Sequence, residues 1–200
     1  MGRNRRRKSM RVKKMRERED FDRRKFIKVL SQWVLSIAVV IVLGYSLVTF
    51  GAQTVRVVGQ SMEPVLQDGD TIIVSKVAYS LGDIKRYDII AFKLRDEEEN
   101  YYNIKRIVGM PGETVKVEGG HIFINGTSLD DLPFDDLIMT EGIAIDGITL
   151  GNNEYFVIGD NVNNSDDSRF VNVGSIEETE ILGKVVYRLS PSDTRGKIKN

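Results

Sequence analysis

Residues 29–50 read VLSQWVLSIAVVIVLGYSLVTF, an apolar run without a single charge. As a helix rising 1.5 Å per residue, a segment of that length crosses a hydrocarbon core of roughly 30 Å. Trp33 and Tyr45 lie toward its two ends, where aromatic rings favour the membrane interface. A buried core helix is the alternative, disfavoured by the length and even apolarity of the run. A cleavable leader is a second alternative, and Thr49 with Gly51 offers a weak small-x-small site. Cleavable apolar cores usually run only about 7–15 residues, so the sequence predicts an uncleaved anchor over residues 29–51.

Charge gives the anchor a direction. The chain has 29 Lys/Arg and 29 Asp/Glu, yet residues 1–28 hold fourteen Lys/Arg against four acidic residues, a net of +10. The remaining 172 residues therefore carry −10. Only Arg56 is basic among residues 51–70. The positive-inside rule predicts residues 1–28 as a basic cytoplasmic tail and 52–200 as an extracytoplasmic domain of a single-pass protein of the cell membrane. The tail would also attract anionic lipid, at about 1 kcal/mol per basic residue near the surface. RNRRRK could serve as a nucleic-acid arm, but its place beside a membrane span argues against that. The chain has no cysteine, which excludes disulfides, thiol nucleophiles and cysteine-ligated zinc.

Beyond Gly51 the chain breaks into short β-branched runs separated by Gly, Asp and Asn. Strands are predicted over Thr54–Val58, Thr71–Val77, Asp88–Lys93, Tyr101–Val108, Thr114–Val117, His121–Ile124, Glu154–Ile158 and Ile181–Leu189. Gly119-Gly120 and Asn125-Gly126 are turn signals. The fold class is therefore mainly β: an antiparallel, partly barrel-like domain behind one N-terminal transmembrane helix, with a small hairpin and loop insert at about 113–152. DDLPFDD at 130–136 reads as a solvated loop.

Three segments carry candidate chemistry. In Gly59-Gln60-Ser61-Met62-Glu63-Pro64 a serine follows a strand, between a glycine-containing turn and a proline. Gly59 permits backbone angles closed to other residues, and such a turn can aim N–H groups at an oxyanion. A serine beside glycine is more often just a turn. In Asn103-Ile104-Lys105-Arg106-Ile107-Val108 two cations interrupt an apolar strand. Strand alternation places them on opposite faces, so one is a candidate for the interior. A buried lysine loses solvation of its charged form and can act as a base toward a serine hydroxyl. The bland alternative is that both cations point to water. The third segment, Gly159-Asp160-Asn161-Val162-Asn163-Asn164-Ser165-Asp166-Asp167-Ser168-Arg169, is a dense polar loop suited to orienting its neighbours. An EF-hand register from Asp160 puts Val162, Ser165 and Val171 at the third, sixth and twelfth positions, so calcium is rejected. The only histidine, His121, follows a hairpin turn, which disfavours a Ser-His-Asp triad. The glycosylation-type matches at Asn125 and Asn163 are too common to carry meaning.

Together, GQSMEPVL, YDIIAF, KRIVGMPGE, GDNVNNSDDSR and ILGKVVYRLSP, in that order behind a basic tail and an anchor, resemble the type I signal peptidase family, most like its short Gram-positive members. The resemblance implies a membrane-bound serine endopeptidase that cuts signal peptides from exported preproteins after small-x-small sites, with no cofactor and no metal. It implies Ser61 as nucleophile and Lys105 as general base. It implies that Ser165 hydrogen-bonds and orients the lysine, that Asp167 and Arg169 form a structural ion pair, and that Asp160 is a further brace. The Ser61 N–H would serve the oxyanion. Val57, Val58, Gly59 and Ile104 would line the substrate site, and the substrate would lie extended between the strands leading to Ser61 and Lys105. Met62 would rest on lipid. Gly59 stands where some Gram-negative members have a serine donor, Val162 replaces a commonly basic residue, and Tyr87 replaces a common glycine. A self-cleaving protease of the SOS-repressor type is a rival, weakened by the anchor in place of a DNA-binding domain. A membrane-tethered, non-catalytic binding domain is another. Partners implied are the signal peptides and the lipid bilayer, without nucleic acid. Oligomeric state leaves no signal.

Overall fold

The computed structural model describes residues 2–94, 101–130, 132–134, 136–191 and 193–198. It divides into two units, 1–49 and 50–200.

The first unit belongs to one helix, α1 (Gly2–Gly51). Its stretch Arg23–Ser46 is long and apolar enough to cross a membrane. Within this unit Trp33, Ile41 and Leu43 are exposed. The change at residue 29 is one of composition, not conformation, because the helix runs through it.

The second unit is two antiparallel sheets. The larger contains β1 (Ala52–Arg56), β2 (Thr71–Ser75), β3 (Ile89–Phe92), β4 (Asn103–Gly109), β9 (Glu154–Ile158), β10 (Ile176–Glu177), β11 (Ile181–Ser190) and β12 (Gly196–Lys197). Its order is β1-β2-β11-β3-β4-β9-β10, with β12 on β11. The smaller sheet contains β5 (Thr114–Glu118), β6 (His121–Ile124), β7 (Thr127–Ser128) and β8 (Ile148–Thr149), ordered β7-β6-β5-β8. All eight predicted strands are present to within a few residues. β7, β8, β10 and β12 span two residues each, too short for a periodic pattern. The only α-helix in the unit's described residues is the single turn α2 (Ala78–Leu81).

Both turn signals act as predicted. Gly119 and Gly120 have φ of 59° and 84°, and Asn125 and Gly126 have 52° and 81°. Positive φ at both central residues is what a two-residue hairpin with native twist requires. The first joins β5 to β6 and the second joins β6 to β7. The insert is thus a small sheet, and Val115, Val117, Ile122 and Ile124 pack its inner face. The 130–136 loop is less solvated than predicted, since Leu132 and Phe134 pack against that core. Asp131 and Asp135 lie outside the described residues.

Strands β3 and β9 are buried almost throughout because apolar clusters cover both faces. Ile89 and Ala91 face one cluster with Val55, Val57 and Ile72; Ile90 and Phe92 face another with Ile107 and Val157. β4 lies between β3 and β9 and is buried from Ile104 to Gly109. That is the setting of its two cations.

Candidate active site

The serine is presented by a closed loop. Val57 N–H donates to the Asp70 carbonyl (2.8 Å) and Gly69 N–H donates to the Val57 carbonyl (3.0 Å), which pinches residues 57 and 70 together. Gly59 adopts φ +89°, the left-handed region open to glycine. Its N–H donates to Asp68 Oδ1 at 2.9 Å. Met62 and Leu66, one helical turn apart, plug the loop into the core. Met62 is 1% exposed, so the expectation that it rests on lipid is wrong: an apolar side chain in this turn packs inward, leaving its neighbour Ser61 in the cleft.

Lys105 enters from β4. Its Nζ donates to Ser61 Oγ at 2.7 Å, across 44 positions of sequence. Lys105 is 5% exposed, and burial pushes its pKa below the ordinary lysine value. Asp167 and Asp166 oppose that shift, while Arg169 adds to it. Removing an ammonium from water destabilises the charged form, and here that effect dominates.

Arg106, the next residue, is 1% exposed. Alternation sends it to the other face, but that face is interior too, so the alternative that both cations point to water fails. Its Nε and one terminal nitrogen donate to the two oxygens of Asp160, each at 2.7 Å, and the other donates to the Tyr87 carbonyl at 2.8 Å. Asp160 thus braces Arg106. Sequence reasoning assigned Arg106 no role, although two adjacent cations inside an apolar strand were the available signal.

The 159–169 loop closes over the serine. Gly159 N–H donates to Asp167 Oδ2 at 3.1 Å. Asp167 also accepts from Arg169 Nε (2.8 Å) and a second guanidinium nitrogen (2.9 Å), an ion pair buried on both sides. Arg169 reaches the carbonyls of Thr140 and Val162, tying the loop to the insert. A β-carbon at Gly159 would sit 2.3 Å from Ser165 Oγ and 2.4 Å from the Ser61 carbonyl oxygen, so only glycine admits this closure. The hydrogen bond implied from Ser165 to Lys105 is not made. Ser165 Oγ is buried without a hydrogen-bond partner among the described residues, packed against the Gly159 backbone instead.

The serine and lysine open into a cleft of about 730 Å³, lined by Val58, Gly59, Ser61, Tyr101, Lys105 and Asp166 among others. Of the residues implied as substrate contacts, Val58 is 65% exposed along it. Val57 and Ile104 are buried with the core cluster beneath the loop and do not line the cleft. Alternation explains this correction, because Val57 turns inward where Val58 turns out. No group of acidic or histidine side chains suited to a metal occurs among the described residues.

A hydroxyl and a desolvated amine paired in an open cleft are groups that nucleophilic catalysis can use. The family model for signal peptidase, peptidase S26, matches residues 30–190. Signal peptidase I of Leptolyngbya laminosa is 34% identical over 179 residues, covering 84% of each chain. Signal peptidase IB of Staphylococcus aureus is 29% identical over 179 residues, covering 82% of this chain and 91% of its own. A crystal structure of a signal peptidase I from Enterococcus faecalis V583 shares 29% identity, spans 52% of this chain and 97% of its own, and has a TM-score of 0.41. The chain belongs to the signal peptidase family, peptidase S26, and is a peptide-bond hydrolase of signal-peptide processing. The family is membrane-associated, consistent with the apolar stretch of α1.

Proposed function

We propose that this chain removes N-terminal signal peptides from exported preproteins by a serine–lysine mechanism, cutting after small-x-small sites. The observation that carries the reading is the 2.7 Å contact between Lys105 Nζ and Ser61 Oγ inside a cleft open to a peptide. The depressed pKa of Lys105 supports its neutral form, which accepts the Ser61 proton as Oγ attacks the scissile carbonyl. The tetrahedral oxyanion is met by the Ser61 backbone N–H. Collapse expels the amine of the mature protein, which takes the proton from Lys105. Lys105 then deprotonates a water that attacks the acyl-serine, and returns that proton to Ser61 Oγ as the Oγ–C bond breaks and the signal peptide leaves with a new carboxyl terminus. Extended substrate runs beside residues 57–59 by main-chain pairing. Residues 29–51 serve as the anchor, with 1–28 cytoplasmic and 52–200 extracytoplasmic.

The test is cleavage of a preprotein bearing an Ala-x-Ala site by the full chain in detergent. Wild type should cut at that site, and Ser61→Ala and Lys105→Ala, both folded, should not. Full-rate cleavage by Lys105→Ala would sink the base assignment.

A further inference from the structure

We propose that Asn161 is a positioning residue that aims the Ser61 backbone N–H into the cleft as the oxyanion donor. The inference rests on Ser61 being the nucleophile. Asn161 Nδ2 donates to the Gln60 carbonyl at 3.1 Å. Its own backbone N–H donates to the Ser61 carbonyl at 3.0 Å. One residue therefore holds both peptide groups that flank the Ser61 α-carbon, and with them both soft dihedrals of that residue.

The consequence follows from peptide planarity. The bond between Gln60 and Ser61 is trans, so its C=O and N–H point in opposite directions. Holding the Gln60 oxygen toward Asn161 holds the Ser61 N–H away from Asn161. Gln60 and Ser61 line the cleft, whereas Asn161 does not. Two further contacts hold Gln60, one at its carbonyl and one at its side chain. Glu63 N–H donates to the Gln60 carbonyl (3.2 Å), and Asn164 Nδ2 donates to Gln60 Oε1 (3.3 Å). The Glu63 contact lies within the turn and moves with it. Only the Asn161 amide references the peptide to the loop that closes over the serine. Gly59 offers no hydroxyl to share oxyanion binding, so the direction of this one N–H matters more here than where a second donor stands beside it.

The experiment compares wild type, Asn161→Ala and Asn161→Asp in the full chain in detergent. Both variants keep the residue-161 N–H. Asn161→Asp also keeps its size, but its carboxylate cannot donate to a carbonyl. The probes are a peptide aldehyde ending in an Ala-x-Ala sequence, which forms a tetrahedral adduct with the serine, and the same peptide as the free acid. Aldehyde affinity should fall at least tenfold in both variants, with free-acid affinity within about twofold. kcat should drop roughly 10–100-fold, below the 10²–10³ cost of deleting a donor outright, and KM should change less than threefold. Melting temperatures within a few degrees of wild type would show that the fold is intact. Parallel loss of aldehyde and free-acid binding, or unchanged kcat, would overturn the proposal. Equal aldehyde binding by wild type and Ser61→Ala would overturn the nucleophile assignment, and this inference with it.

Discussion

Lys105 and Arg106 are neighbours on one strand, equally hidden from water, and the protein treats them in opposite ways. Arg106 meets a carboxylate head-on through two hydrogen bonds and a backbone carbonyl through a third. Lys105 has a hydroxyl as its hydrogen-bond partner and makes no ion pair among the described residues. A fork-shaped guanidinium cannot shed its charge, so burying it demands a fixed counter-ion. A lysine can shed its charge, so burying it without one yields a base. The carboxylate that most opposes the lowering of its pKa, Asp167, is itself claimed by Arg169. On the proposed mechanism, the distribution of carboxylates in the loop decides which cation is scaffold and which is reagent.

The comparison breaks most sharply if Lys105 is given the chemistry of its neighbour. In Lys105→Arg the cation remains but cannot become a base. Cleavage of the Ala-x-Ala preprotein should fall on the order of 10⁴-fold or more, as when a member of a serine-protease triad is lost. Activity within tenfold of wild type would mean that Lys105 acts by charge alone.

Stability separates the two residues next. Arg106→Met strands Asp160 in the interior and should cost about 3–5 kcal/mol, the usual penalty for half of a buried pair. Lys105→Met removes a desolvated amine with no counter-ion and should leave the domain as stable or more so. Thermal unfolding of the two variants reads the contrast, and equal losses would erase it. pH sharpens it. Lys105 has a lower pKa folded than unfolded, so between the depressed value and about 10.5 the unfolded chain binds more protons. Stability must then rise with pH across that window through this group. The gap between wild type and Lys105→Met should narrow toward the top of the window.

The sequence displayed the scaffold better than the site. Strands of four or more residues announced themselves as β-branched runs between turn residues, and Gly119-Gly120 and Asn125-Gly126 by turn chemistry. Ser61 and Lys105 were legible only through the order of several motifs, since nothing local says that residues 44 apart will touch. Arg106 was missed because period-two reasoning assumes a sheet with one wet face, whereas β4 is buried from Ile104 to Gly109. Val57, Ile104 and Met62 were misplaced for a related reason. A motif names the residues around a site without saying which of them turn inward. Asn161 gave no signal, because its partners are backbone carbonyls, which every sequence has.

The smallest effect tests whether the Arg106 side of the comparison depends on backbone strain. Tyr87, whose carbonyl accepts from Arg106, has φ +70°, rare for a bulky residue. Its N–H donates to the Ile107 carbonyl at 2.8 Å, so β4 holds it in place from both sides. The left-handed conformation costs roughly 1–2 kcal/mol in a residue with a β-carbon. Tyr87→Gly relieves it, but loosens the unfolded chain by about 0.5–1 kcal/mol and removes a half-buried ring. The changes largely cancel, and melting should shift by only a few degrees. Tyr87→Val keeps the strain, adds branching at the β-carbon and loses the ring, so it should melt lower than the glycine variant. The reverse order would assign the position to the ring rather than the backbone, and detach it from the reason Arg106 stays where it is.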